Sequence, residues 1–390
     1  MSRHESGFRR KGARKLFTPV AVAGLFVLAL TACLDKLVDP VDEPEEEMLF
    51  LSTRVGGTDE HGRALRDIFR MDATGNEIGN LTQRPAWGYW HLSLSSDGSR
   101  IAFTTSLDCD IWVMSADGPQ AMLLTNQDGG REHRCNAWPR WSSDGNRIAF
   151  ATNRENRTQG IYSGLYDVYV MNVDGSNPRN VSHSLGEEMG FDVAVVGWSP
   201  SGQVVFETST FSGGHWESTV YLVNADGTGL RPLFDTPGDH SPAWSPDGSR
   251  IVFISERDGR RRLYIINADG SGVRPLTDHA GDDWLPGNRG GTEAAFAYSP
   301  WSPDGSRIAF DRDALQEWGT YVINVDGSGL RRLSDHPTWF NGWSWSGSHI
   351  AFTSRRIPAD IYVVNADGSQ VRNLTDSPHD DHNAVWLPRR

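Results

Sequence analysis

Lysine is almost missing from this chain. Of its 37 basic residues only Lys11, Lys15 and Lys36 are lysines, and everything beyond relies on arginine. The 50 acidic residues give a net charge of −13, which would repel a phosphate backbone and argues against a general nucleic-acid binder. Cysteine is scarce: Cys33, Cys109 and Cys135 are the full set, with no C-x-x-C spacing. There is no G-x-S-x-G elbow, no H-E-x-x-H and no phosphate loop. What the chain has in quantity is glycine, 41 residues, and tryptophan, 15. Glycine spread through so many turn signals excludes a mainly helical protein.

The N-terminus stands apart. Arg3, Arg9, Arg10, Lys11, Arg14 and Lys15 precede the apolar run LFTPVAVAGLFVLAL (16–30), and TAC (31–33) follows. A basic segment, an apolar core and a small-residue exit make a secretory signal. As a membrane span the run is short and interrupted by Thr18 and Pro19. Leu30-Thr31-Ala32-Cys33 resembles the lipobox of bacterial lipoproteins. That resemblance implies an exported lipoprotein, acylated at Cys33 and held in the lipid bilayer. The expected place is the periplasmic side of the outer membrane or the cell surface, which Leu34 favours. We therefore expect residues 1–32 to be a signal peptide. Residues 33–47 read as an acidic, proline-containing tether, and residues 48–390 as one domain. Without residues 1–32 the net charge falls from −13 to −18.

The domain repeats itself. WSSDGNRIAF (141–150), WSPDGSRIVF (244–253) and WSPDGSRIAF (301–310) alternate with VYVMNVDG (168–175), LYIINADG (263–270), TYVINVDG (320–327) and IYVVNADG (361–368). A short third element follows each, such as RPLTD (274–278). The β-branched and aromatic runs are strands, apolar on both alternating faces, so each small sheet must be covered on both sides. Ser-Pro-Asp-Gly and Asn-Ala-Asp-Gly supply the dihedrals of tight turns. Each unit thus has four strands, here called a to d, with a period of roughly 40–57 residues, the mark of a β-propeller. Strands b and c occur seven times, from MLFLSTR (48–54) onward, but the first unit lacks strand a. HNAVWLP (382–388) repeats HSPAWSP (240–246), so the C-terminus should supply that strand and leave no free edge. The expectation is an all-β, seven-bladed propeller, with six blades as the alternative.

These motifs resemble the TolB-type propeller repeat over nearly all of 48–388. The same propeller type occurs in prolyl-oligopeptidase relatives and in polysaccharide lyases. The a–b and c–d turns should form one face. The variable b–c loops and d–a connectors should form the other, among them 153–166, 208–218 and 278–298, and variable loops on a rigid ring are where binding usually sits. Cys109 and Cys135 both fall on that loop face, where a disulfide would close a loop of about 27 residues. Asp239-His240 and Asp381-His382 precede strand a at the same spacing and should line the channel mouth. Carboxylate–imidazole neighbours can do acid–base or metal chemistry. The plainer reading is loop hydrogen bonding in a repeat protein, and it is preferred here. Trp216, Trp284, Trp318 and Trp339 lie in or beside the variable loops and suit a protein or sugar partner. The leading expectation is a monomeric, lipid-anchored interaction module for an envelope protein or peptide, without catalysis and without a cofactor. One alternative is an oligouronide lyase with a divalent metal at the channel mouth, using Asp239, His240, Asp381 and His382. Another is a carbohydrate-binding propeller using the loop tryptophans.

Overall fold

Among the described residues, twenty-eight strands gather into seven antiparallel sheets of four. The computed structural model describes residues 46–388, apart from 59–63, 83–88, 106–107, 119, 126–134, 155–165, 186–191, 213–214, 235, 237, 279–280, 286–298, 314–317 and 335. Cys33 and the expected signal and anchor lie outside the described residues. Strands a to d of blade 2 are Tyr89–Leu94, Arg100–Thr105, Ile111–Ser115 and Ala121–Leu123. In blade 3 they are Asn136–Trp141, Arg147–Thr152, Asp167–Asn172 and Arg179–Asn180. Blade 4 has Asp192–Trp198, Gln203–Ser212, His215–Asn224 and Arg231–Pro232. Blade 5 has His240–Trp244, Arg250–Ser255, Arg262–Asn267 and Arg274–Pro275. In blade 6 they are Asp282–Trp284, Arg307–Asp313, Gly319–Asn324 and Arg331–Arg332. Blade 7 has Thr338–Trp343, His349–Ser354, Ile361–Asn365 and Arg372–Asn373.

Blade 1 is assembled from both ends of the domain. Its strands b, c and d are Glu47–Ser52, Asp67–Asp72 and Glu77–Asn80, and strand a is Asp381–Trp386 from the C-terminus. Met48 pairs with Trp386 and Ser52 with Asp381, so the seventh blade count and the strand-swapped closure both hold. The next turn fastens the seal. Gly98, at φ 67°, leaves a gap filled by Pro388: a Cβ there would meet the proline Cδ at 2.1 Å. Gly248 meets Pro200 in the same way, and Gly305 meets Pro246, so the turn proline of one blade packs on the turn glycine of the next.

The core lies between blades. Phe50, Phe103, Phe150, Phe206, Phe253, Phe310 and Phe352, one per strand b, are all 0% exposed. Burying each contributes about 1.5–3 kcal/mol. One apolar cluster joins Leu49, Leu51 and Ile68 of blade 1 to Tyr89, Leu92 and Phe103 of blade 2. Arginine and tryptophan add a second seam. Arg100 lies over the Trp141 ring at 4.7 Å and Arg307 over Trp343 at 4.8 Å, each reaching into the following blade. The indole Nε1 groups of Trp141, Trp198, Trp301 and Trp343 donate back to Ser93, Arg140, Ala243 and Pro300 carbonyls at 2.9–3.0 Å. The repeated Trp and Arg are therefore joints of the frame.

Two segments depart from the sequence reading. Residues 208–218 were expected as a loop. Instead Thr208–Ser212 and His215–Ser218 extend strands b and c of blade 4, with Ser209 opposite Ser218. Thr208, Thr210 and Phe211 favour a strand, but the segment's glycines resemble loop composition. Residues 278–298 were expected as a connector. In fact Asp282–Trp284 is strand a of blade 6, with Asp283 opposite Arg312, while Trp301 makes only an isolated bridge to Ile308. The insertion therefore interrupts strand a after Trp284, and the repeated Trp marks the strand's far end.

Candidate functional site

The b–c loops and the starts of strands a share one face, and a charge pattern repeats there. In blade 1, Arg54 lies two residues past strand b, 5.2 Å from the Phe50 ring and 5.4 Å from that of Phe69. Its Nη2 donates to Asp381 of strand a at 2.8 Å. In blade 5, Arg257 lies over Phe253 and Tyr264 and donates to Asp239 at 2.5 Å. In blade 6, Arg312 lies over Phe310 and Tyr321 and donates to Asp283 at 3.0 Å. Blade 3 writes the same arrangement with Asn136 in place of aspartate, 3.3 Å from Arg154. In blades 1, 5 and 6 aromatic pair, guanidinium and a carboxylate at the start of strand a thus form a radial stack that anchors the b–c loop to its blade.

The two carboxylates of the candidate pairs belong to this pattern. Asp239 and Asp381 are almost fully buried at 2% and 0% exposure, and both face arginines. Asp381 also accepts from Ser377 Oγ at 2.7 Å. Burial pushes the Asp239 carboxyl up, against hydrogen bonding by Ser255 and the pull of Arg257. Neighbouring strand residues point to opposite sides. His240 Nδ1 lies 2.9 Å from Ser241 Oγ, and His382 Nδ1 lies 3.0 Å from Asn383 Nδ2. Burial, helped by Arg66, holds the His382 imidazole down at about 3; burial and Arg261 hold His240 at about 4. Both rings are therefore neutral near pH 7. Among the described residues no three His, Cys, Asp or Glu side chains converge as a metal site would require.

Strand a also bends at this mouth. Asn383, His91, Trp138 and Ser241 occupy equivalent positions in blades 1, 2, 3 and 5, with φ of 47–56° beside a register shift. Such bulges re-aim side chains. Trp138 is brought 5.2 Å from His91 of the preceding blade and 5.7 Å from Tyr166. The arginine stacks were legible as S-x-R or T-x-R after strand b, in STR (52–54), TNR (152–154) and SER (255–257). The bulges, which place Trp138 and His91, follow no evident residue rule.

The loop tryptophans separate. Trp284 is half-buried in strand a of blade 6, with Arg261 stacked 4.2 Å from its ring. Trp339 is 37% exposed in strand a of blade 7, and Trp318 stands just before strand c of blade 6. Arg355 lies over both rings, at 4.4 Å from Trp318 and 5.4 Å from Trp339. The side chain of Trp216 is outside the described residues, although its backbone pairs with Phe211. Cys109 and Cys135 are bonded, with Cα atoms 4.8 Å apart, and join the b–c loop of blade 2 to the start of strand a in blade 3.

Ring, repeat and sealing strand define the class: a seven-bladed β-propeller of TolB-like repeats. The Tol-Pal system protein TolB of Anaeromyxobacter dehalogenans is 33% identical over 173 residues, 44% of this chain and 35% of that protein. The chain spans less than half the length of the first curated relatives it matches. A puromycin-hydrolyzing peptidase of Mycobacterium tuberculosis shares the fold at a TM-score of 0.59 and 16% identity, over 82% of this chain and 51% of that one. An oligogalacturonate lyase of Vibrio parahaemolyticus does so at 0.57 and 12%, over 83% and 94%. No family model matches the chain.

Proposed function

We propose that this protein is a lipid-anchored binding module of the bacterial cell envelope, taking an envelope protein or peptide on the loop face. One observation carries the reading: the carboxylates at the channel mouth are held by arginines of their own blade. They serve the frame, and Trp339 and Arg355 are among the described groups left exposed on that face. The likeness to a Tol-Pal protein supports an envelope setting. Acylation at Cys33 would hold the ring at the membrane by a flexible acidic tether. A monomeric ring fits this role, since the outer edge strands d are only two to four residues long.

The test is cross-linking and affinity capture from envelope extract with the mature chain as bait. One defined partner, competed away by excess unlabelled propeller, is the expected result. Turnover of oligouronides with added manganese, abolished by His240→Ala and His382→Ala, would overturn the reading in favour of a lyase. The anchor is tested separately: Cys33→Ser should release the protein from the membrane fraction, and continued membrane association would refute acylation there.

A further inference from the structure

Blade 7 breaks the radial stack, and the break leaves a charge free for a ligand. In blades 1, 3 and 5 the arginine two residues past strand b, and in blade 6 Arg312 near the strand's end, sits on a paired Phe and Phe or Tyr. In blade 7 the corresponding pair is Phe352 and Tyr362, and His336 occupies that seat, its ring centroid 5.4 Å from Tyr362 and 6.4 Å from Phe352. The strand-a carboxylate is missing as well. Thr338, opposite Ser354, takes the place that Asp239 has opposite Ser255, and it is tied to Thr320 and Ser334 hydroxyls at 2.9 Å. Arg356, four residues past Phe352 as Arg257 is past Phe253, has neither the aromatic seat nor an acid among the described residues. Arg355 beside it turns to Trp318 and Trp339 at the junction of blades 6 and 7. Arg332 braces that junction by donating to the Trp318 carbonyl at 2.6 Å.

The result is a preorganised guanidinium between two indoles, exposed and with no carboxylate partner among the described residues. Arg356 beside it is in the same condition, and Ile357, the next residue, is 94% exposed. Elsewhere the arginines of this acidic chain are largely spent on blade joints and loop anchors. Two cations without a carboxylate partner among the described residues and an exposed aliphatic tip form a local basic and apolar patch that suits an acidic segment. We propose that the Trp318–Arg355–Trp339 clamp, with Arg356 and Ile357, is the docking point for an acidic, apolar-interspersed peptide segment of the partner protein. A guanidinium offers a planar fork that accepts a carboxylate bidentately. The flanking indoles exclude water from that pair and bury the apolar residues between the acids.

This inference rests on the loop-face binding reading, and two measurements separate their failures. In the first, fluorescence anisotropy follows a labelled peptide of alternating glutamate and leucine binding to the mature chain. Its counterpart with glutamine for glutamate and tri-galacturonate are competitors. We expect the glutamate peptide to bind, its affinity to fall about 10-fold or more in the Arg355→Gln/Arg356→Gln double variant, and Trp339→Ala to weaken it too, with thermal midpoints unchanged. Equal binding of the glutamine peptide, or undiminished binding by the double variant, overturns the clamp. Tri-galacturonate bound more tightly than the peptide, through Arg355, overturns the peptide assignment in favour of a uronate site. In the second measurement the double variant is the bait in envelope capture. A partner captured by wild type and equally by the variant sinks the clamp but leaves the binding module intact; no partner for either sinks the wider reading.

Discussion

Charge at single residues is spent on holding the ring together. Arg312 and Asp283 form an ion pair at 3% and 0% side-chain exposure, with Thr277 Oγ1 donating to the same carboxylate at 2.6 Å. Removing one partner leaves the other charged and buried, so Asp283→Ala should destabilise the protein by about 3–5 kcal/mol in urea denaturation. Arg307→Ala, which loses a more exposed cation–π joint to Trp343, should cost about 0.5–2 kcal/mol. Histidines set the acid response. His91, His240 and His382 are held at about 3, 4 and 3 by burial. In the unfolded chain they titrate near their ordinary value of 6.5, so below it the unfolded state binds more protons. Stability is therefore full above that value and drains away as pH falls toward 3. The turn carboxylates Asp97 and Asp247, lowered to about 2 by hydrogen bonds from Ser95 and Ser245, add a loss only below the ordinary carboxylate value of 3.8. Thermal midpoints measured from pH 7 to 4 should fall, and His382→Gln should flatten that fall.

At the scale of elements, the blades are legible where sequence repeats and obscure where it does not. The Trp, Asp-Gly and Ile-Ala-Phe positions marked strands a and b because one packing joint is written at each blade. Asp282–Trp284 was hidden because an insertion separates it from the Trp301 motif that names the strand. Asp239 and Asp381 are visible as repeated acids and Arg257 and Arg54 as repeated S-x-R arginines in the b–c loops, but that each acid meets its arginine follows only from the pairing of strands a and b. The blade-7 clamp depends on His336 taking an arginine's seat, which no linear pattern announces. The Cys109–Cys135 bond, spanning 26 residues, staples two blades through their loop-face ends. Its reduction should cost about 3–4 kcal/mol. Denaturation with and without a phosphine reductant checks this, and blade 2 should open before the others by amide hydrogen exchange.

For the whole molecule, the central claim is a closed ring. Every blade packs on two neighbours, so stability is shared around the circle. Blade 1 takes part only because Asp381–Trp386 pairs with Glu47–Ser52 and Pro388 seats on Gly98. Loops can then carry recognition groups without loosening the frame. Thermal unfolding of a chain truncated after Asp380 tests this most directly. The account predicts loss of the single cooperative transition, with blade 1 amides exchanging early; a truncated chain that melts as one unit at the full-length midpoint would contradict it.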